Sequence, residues 1–276
     1  MKLTYKLLCI FYGFIGLLTS CATLSNGPTT YNYAPVMAGG PIMYQPKPMS
    51  SDISKTANYL SAGYTNDFQS KTNGLDEIAM GTLMYMHGHT YDTFSYGYGG
   101  YVFLGSYTNK TTKSGPINGQ DQVGNAYFNS KNFSGFGLQA SACFFTNADN
   151  IDFRFLGAEL NYSNEAGDYL DYRKSTSAQP YIFTDGSSDR LKAGLTSELI
   201  FHSHRNPSNQ YGFRIYYGTT IGAHAYANSN TTIAGGNYSN NYPDNTFAFS
   251  FYAQHNHYFL TANASQSALF TLGYRF

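Results

Sequence analysis

The chain has 276 residues with 16 basic and 16 acidic side chains, so its formal net charge at pH 7 is zero. A balanced charge argues against a nucleic-acid partner, which would need a concentrated basic surface. Charged residues make up only 12% of the sequence, against 28 Gly and 27 Tyr, and this content is sparse in charge for a soluble domain of this size.

The first twenty residues have the pattern of a secretory signal. Lys2 and Lys6 precede an uncharged run from Leu7 to Leu18. A basic start followed by a short apolar run is typical of such signals, and this run is too short for a comfortable membrane-spanning helix. We therefore expect residues 1–20 to be a signal peptide.

The end of this run is more specific, because Leu18-Thr19-Ser20-Cys21 resembles the lipobox of bacterial lipoproteins. In that family the signal is cleaved before the cysteine, whose sulfur and new amino group receive acyl chains. The resemblance implies a lipid anchor on Cys21. We expect no cofactor besides these acyl chains. The alternative is an ordinary signal with a chance cysteine. An acylated Cys21 would leave Cys143 without a partner, which excludes a disulfide framework or a cysteine zinc site.

Residues 21–55 are rich in Pro, Gly, Ser and Thr and show no sustained period. This composition predicts a lipidated tether or an extended segment that lies along the following domain. The pieces Tyr33-x-Pro35 and Gly40-Pro41-Ile42 resemble the segment after the lipid cysteine in barrel lipoproteins from Bacteroidetes.

Residues 56–276 alternate between apolar and polar side chains, which is the period of β-strands. No amphipathic helix competes with this pattern, so we expect an all-β domain. The predicted apolar rows are Leu60, Ala62 and Tyr64; Ile78, Met80, Met84 and Met86; Tyr96, Tyr98, Val102 and Leu104; Phe136, Leu138, Ala140, Ala142 and Phe144; Ile151, Phe153 and Phe155; Leu191, Ala193, Leu195, Leu199 and Phe201; Tyr211, Phe213, Ile215, Tyr217, Ile221, Ala223 and Ala225; and Phe247, Phe249, Phe251 and Ala253.

Long and short connections between these rows alternate along the chain. Residues 109–132, 164–188 and 228–244 are long and polar, whereas 88–93, 147–150 and 204–210 are short. This asymmetry is typical of bacterial outer-membrane barrels. With two further strands in the tail, the pattern predicts a closed antiparallel transmembrane β-barrel of ten strands, with eight as the alternative. Closure is required because an unpaired strand edge in hydrocarbon would expose backbone polar groups.

The chain ends on one apolar row formed by Phe270, Leu272, Tyr274 and Phe276. This row resembles the C-terminal signal that the barrel assembly machinery reads in outer-membrane proteins. Together with the lipobox, it identifies the chain as similar to bacterial outer-membrane β-barrel lipoproteins. The resemblance implies a location in the bacterial outer membrane, with the lipid bilayer and the assembly machinery as partners.

If the apolar rows face lipid, the opposite rows face the lumen. We interpret them as a structural network of ion pairs and hydrogen bonds, since a barrel of eight to ten strands is about filled by its side chains. Glu198 and Arg214 lie on strands joined by one turn and are the candidate ion pair; a functional pocket is the alternative. The predicted lumen residues are His87, His89, Lys192, Glu198, His202, His204, Arg214 and His224.

The histidines also allow two other hypotheses, a metal site and a lipid hydrolase, which we favour less than the structural network. His202 and His204 share a strand face and could ligate a metal together with His87 or His89, although histidines in a polar lumen are more often hydrogen-bonded fillers. A lipid hydrolase would need a serine within reach of a histidine. Ser203 points away from both neighbours, and Ser208 could approach His204 only across the turn.

The favoured function is therefore a non-enzymatic outer-membrane barrel lipoprotein that acts as a structural or accessory subunit of a larger outer-membrane complex. The alternatives are a small-solute pore and a barrel enzyme that acts on lipid or peptide at the membrane.

Overall fold

The computed structural model describes residues 32–33, 56–72, 74–109, 129–148, 150–176, 182–183, 186–221, 245–265 and 268–276. No helix among these residues is long and apolar enough to cross a membrane. Cys21, the signal peptide, most of the tether, His224 and the row members Ala223 and Ala225 lie outside the described residues.

A closed antiparallel barrel forms most of the described chain, and its ten strands confirm the predicted fold class and the higher strand number. Each barrel strand pairs with its neighbour in sequence along the barrel, and the last strand closes the ring on the first. The barrel strands are β2 (Thr56–Thr72), β3 (Gly74–Thr90), β4 (Phe94–Asn109), β5 (Asn129–Ala148), β6 (Ile151–Ala166), β8 (Asp189–His202), β9 (Gln210–Ile221), β10 (Asn245–His255), β11 (Tyr258–Ala264) and β12 (Ala268–Arg275).

Three further elements lie outside the barrel wall. The short strands β1 (Asn32–Tyr33) and β7 (Ile182–Phe183) pair in parallel. A nine-residue helix, α1 (Asp168–Thr176), follows β6. The sequence analysis had expected no helix here; α1 has almost no amphipathic period, so the hydrophobic pattern gives no sign of it. Gly167, with φ of 117°, makes the turn into α1 in a conformation that other residues rarely adopt.

The two ends of the barrel differ. At the short-turn end, residues 91–93, 149–150, 203–209 and 256–257 join the strands. Asn256, with φ of 54°, occupies the left-handed region in the two-residue turn between β10 and β11. Backbone bonds of 3.0 Å in both directions tie Phe276 to Asn58 of β2 at this end. The long-loop end carries the connections 110–128, 167–188 and 222–244, and at this end β2 is followed by β3 and β11 by β12.

The outer face of the barrel is apolar. Leu104, for example, exposes 69% of its surface and Leu272 exposes 63%. A water-soluble protein does not leave such a continuous apolar surface uncovered. Other exposed apolar residues on this face are Leu60, Tyr64, Leu83, Tyr85, Val102, Phe136, Leu138, Leu160, Leu195, Ile215, Tyr217, Phe247, Leu260 and Phe270.

Strand β3 is the exception to the predicted rows. Leu83 and Tyr85 face outward, whereas the expected outward row of Ile78, Met80, Met84 and Met86 is buried inside the barrel. Both faces of β3 are apolar at these positions, so the alternation does not tell the inside from the outside. The prediction for this strand therefore exchanged its inward and outward faces, which is a shift of one residue along the strand.

Candidate functional site in the barrel lumen

The lumen has two unlike walls. The buried side chains of β2 to β5 and of β10 to β12 form an uncharged wall, in which apolar residues such as Met80, Phe103 and Phe259 lie beside polar ones such as Gln139 and Gln254. Strands β6, β8 and β9 give it a polar wall. The buried polar side chains of these three strands are Asp152, Arg154, Glu159, Asn161, Ser163, Glu165, Arg190, Lys192, Thr196, Glu198, Gln210, Arg214 and Thr220.

Four charged side chains form a continuous series on the polar wall, which we call the arginine–glutamate chain: Arg154, Glu198, Arg214 and Glu159. Arg154 Nη1 lies 3.1 Å from Glu198 Oε2, and Arg214 Nε lies 2.9 Å from Glu198 Oε1. Arg214 Nη1 lies 3.7 Å from Glu159 Oε1. Two positive and two negative groups are thus neutralised within the lumen.

Strand register explains why these residues meet. Glu198 lies directly opposite Arg154 on one side and opposite Arg214 on the other. A bulge in β6 between Arg154 and Gly157 turns both Phe155 and Leu156 outward. The bulge keeps Arg154 and Glu159, which are five positions apart, on the same inward face.

The arginine–glutamate chain is almost completely removed from water. The side chains of Arg214 and Glu198 are 0% exposed. Removing ionised groups from water costs several kcal/mol per ion, and the cost is offset only when each charge keeps a well-placed partner. The four residues therefore depend on one another.

Further polar contacts extend this wall along the lumen. Lys192 Nζ donates to Thr246 Oγ1 over 2.5 Å, and Tyr101 Oη donates to Asn161 Oδ1 over 2.9 Å. Tyr252 donates to Gln254 on the facing side.

Helix α1 packs against inner-wall residues of β4, β5 and β6 near the long-loop end. Arg173 Nη2 lies 2.7 Å from Glu165 Oε1 of β6, and both side chains are buried. The ring of Tyr169 packs against Tyr107 with centroids 4.5 Å apart and against Phe133 at 6.0 Å. A fully buried arginine and tyrosine anchor this helix to the inner wall.

The structure places the predicted lumen residues differently. Lys192, Glu198 and Arg214 lie in the lumen. His202 lies at the short-turn rim, where its Nε2 is 2.9 Å from Asp152 Oδ2. His204 lies in the exposed turn after β8, with its Nδ1 2.8 Å from Asn150 Nδ2.

His87 and His89 do not face the lumen. They share the outward face of β3 with Leu83 and Tyr85, and their rings pack on the outward Tyr98 and Tyr96 at 5.2 and 5.6 Å. The prediction that His87 and His89 face inward was therefore wrong. The cause is the same as for the apolar row of β3, whose inward and outward faces were exchanged. The C-terminal row of Phe270, Leu272, Tyr274 and Phe276 lies on the outer face of the barrel and just beyond it.

Several lumen charges were missed by the sequence analysis. Arg154 lies between Phe153 and Phe155, which were predicted to face lipid, so the period of two predicts that Arg154 faces the lumen. Glu159 lies beyond the β6 bulge, which reverses the parity. Arg173 belongs to the unpredicted helix. Glu165 falls within the predicted connection 164–188, and Arg190 lies just before the predicted row that begins at Leu191.

The geometry does not support the hypotheses of a metal site or a lipid hydrolase. His87 and His89 lie on a different face from His202, and in the described ranges no three His, Cys, Asp or Glu side chains are grouped to hold a metal. Ser208 is placed by a bond from its backbone N–H to Asn206 Oδ1, while Asn150 is the partner of the His204 ring.

No protein-family model matches the chain, and no curated protein matches it. Solved structures resemble it at low identity. The outer membrane protein OprG from Pseudomonas aeruginosa aligns with a TM-score of 0.36 and 9% identity, over 81% of this chain and 96% of that one. An outer membrane channel from Pseudomonas putida F1 aligns with a TM-score of 0.35 and 8% identity, over 84% and 99%. OpdQ from Pseudomonas aeruginosa aligns with a TM-score of 0.19 and 10% identity, over 82% and 99%. At these values the likeness carries no information on function.

The architecture itself defines the class of protein. A closed barrel with an apolar exterior, a polar inner wall, tight turns at one end and long loops at the other is a bacterial outer-membrane β-barrel. The chain is such a barrel, and its location is the bacterial outer membrane.

Proposed function

We propose that the protein is a narrow, gated pore for small solutes, closed in this conformation by the arginine–glutamate chain. The observation that carries the proposal is the charged inner wall, in which Arg154, Glu198, Arg214 and Glu159 line one side of the lumen. The gated pore thus replaces the accessory subunit as the favoured hypothesis of function.

The charges favour a pore because they are a costly way to fill a barrel. Replacing a buried ion pair with well-packed apolar residues is often neutral or stabilising. Part of the opposite wall is filled in that way, by residues such as Met80, Met84 and Phe103, and its buried polar side chains carry no charge. Charges retained along one wall suit a path that holds water and polar solutes when it opens.

The geometry also suits a gate. Glu198 contacts one arginine with each of its carboxylate oxygens, and Arg214 contacts two glutamates. A shared partner allows one contact to lengthen while another holds, so that a gap opens without leaving a charge unpaired. Solutes that pass must be small, since a ten-stranded barrel leaves little space between its side chains.

A structural or accessory subunit of a larger outer-membrane complex is the second candidate. The observation in its favour is the filling of the lumen, where Tyr216, Tyr252 and Lys192 are fully buried. A barrel that never opens would serve through its outer wall and loops and would need no enzymatic activity.

We further propose that the protein is a lipoprotein acylated on Cys21, of the kind found in Bacteroidetes, and that the assembly machinery reads its terminal row. The support is the lipobox Leu18-Thr19-Ser20-Cys21 and the apolar row that ends at Phe276. Metabolic labelling with a radioactive fatty acid should label the protein and should fail to label Cys21→Ala.

Conductance in planar bilayers tests the pore. The purified protein should give small, intermittent single-channel currents in potassium chloride. Glu198→Gln should make openings longer, because it weakens both arginine contacts at once. Asp92→Asn, in an exposed turn, removes the same charge and should behave as the unchanged protein. Silence of both the unchanged protein and Glu198→Gln would favour the accessory-subunit function.

A further inference from the structure

Lys192 is a buried lumen cation whose side-chain contact is with a neutral hydroxyl group. It is fully buried, and its Nζ donates to the hydroxyl of Thr246 over 2.5 Å. Arg154, Arg173 and Arg214 each contact a glutamate. Among the described residues, no carboxylate lies within ion-pair distance of Lys192.

The side chains directly opposite Lys192 in the strand register are hydrogen-bonding and neutral. In the strand register Asn161 of β6 and Thr220 of β9 lie directly opposite it, and both are buried in the lumen. The Oδ1 of Asn161 accepts from Tyr101, which leaves its Nδ2 as a donor toward the lumen. Hydroxyl and amide donors beside an ammonium group are the chemistry that holds an anion.

Arg190 adds to the positive potential at this level. It occupies the next inward position on β8 and is also buried. Glu165, a carboxylate near this end of the lumen, is paired with Arg173 of α1. Arg190 and Lys192 thus lie close together on the inner face of β8.

We propose that Lys192, with the hydroxyls of Thr220 and Thr246 and the amide of Asn161, forms a binding site for a small inorganic anion in the lumen. A buried ammonium without a counter-charge is destabilised, and an entering anion supplies that charge. This inference rests on the proposed pore function and deepens it, since it names small anions as the solutes that the lumen selects.

Thermal unfolding of the purified protein in non-ionic detergent tests the site. The melts are recorded in potassium chloride, potassium phosphate and potassium gluconate at equal ionic strength, with gluconate as the bulky anion that the proposed site should not bind. Chloride or phosphate should raise the Tm by about 2–4 °C over gluconate, because an anion that binds only the folded barrel stabilises it.

Matched variants assign the effect to Lys192. Lys192→Met should lose the anion-dependent rise, while Lys174→Met, on the exposed side of α1, should keep it. Thr246→Val keeps the charge and removes the hydroxyl, so the apparent anion affinity should fall about 2- to 10-fold. Equal Tm values for the unchanged protein in all three salts would overturn the site, and so would a rise that persists in Lys192→Met.

Reversal potentials separate this proposal from the pore itself. In a potassium chloride gradient the open barrel should prefer anions, and Lys192→Met should move the potential toward cation preference. A protein that never conducts but keeps a Lys192-dependent rise in Tm would refute the pore and support the site. A conducting barrel with no anion-dependent rise would support the pore and refute the site.

Discussion

Arg214 and Glu198 face each other directly across the β8–β9 ladder, and Arg214 Nε lies 2.9 Å from Glu198 Oε1. Because Glu198 also contacts Arg154 on its other side, one carboxylate holds two guanidinium groups from two neighbouring strands. Glu198 is the residue on which the arginine–glutamate chain depends most.

Glu198→Gln should destabilise the barrel by about 3–5 kcal/mol, because it leaves two buried arginines with a neutral partner. The free energy of unfolding, measured by urea titration in vesicles, checks the size of the loss. Asp92→Asn should change this free energy by less than about 0.5 kcal/mol, since its side chain is exposed in a turn. A Glu198→Gln barrel as stable as the unchanged protein would show that the chain is not needed to hold the wall.

Gly194 tests the packing of the lumen beside Lys192. A Cβ added at Gly194 would lie 2.4 Å from Cε2 of the buried Tyr216 ring. Gly194→Ala should therefore cost about 1–3 kcal/mol through overpacking. Gly81→Ala is the matched control, because no atom lies within 4 Å of its added Cβ.

The same urea titration separates these two glycines. The Gly81→Ala barrel should be as stable as the unchanged protein or slightly more stable, since Gly weakens a strand interior. Equal losses at both positions would show that Tyr216 does not fill the lumen as described.

Arg173→Met should loosen α1 from the long-loop mouth. The substitution removes the 2.7 Å contact with Glu165 and leaves that carboxylate buried without its arginine. Limited proteolysis should then cut within α1 several times faster, while the barrel stays resistant. Lys174→Met, at the exposed neighbouring position, should leave the rate of cleavage unchanged.

Unaltered cleavage in Arg173→Met would mean that the aromatic contacts of Tyr169 with Tyr107 and Phe133 hold α1 by themselves. The removed ion pair would then have no part in anchoring the helix.

The strands could be predicted from sequence because lipid imposes a strict period of two. The prediction fails where that rule is locally weak. On β3 the inward side chains are themselves apolar. Met84 faces inward and Leu83 faces outward, yet both are apolar, so hydrophobicity does not distinguish the two faces. In β6 an extra residue between Arg154 and Gly157 reverses the alternation, and no pattern in the sequence marks the bulge.

The lumen contacts were harder to predict than the wall. The pairing of Glu198 with Arg214 follows from two strands joined by one short turn. The contact of Arg173 with Glu165 needs a helix that the hydrophobic pattern does not reveal. That no carboxylate in the described part of the chain reaches Lys192 depends on the register of three strands, which alternation alone does not give.

Spin labels on β8 test the central claim that acyl chains cover the outer face. Leu195 faces outward and Thr196 faces the lumen, so the two sites differ by one residue. They are labelled singly in a Cys143→Ser background, reconstituted in vesicles, and exposed to oxygen and to a water-soluble nickel chelate. The account predicts that the label at Leu195 is relaxed by oxygen, which concentrates in lipid, and is shielded from nickel. A label at Leu195 that nickel relaxes as freely as one in the exposed turn at Asp92 would contradict it.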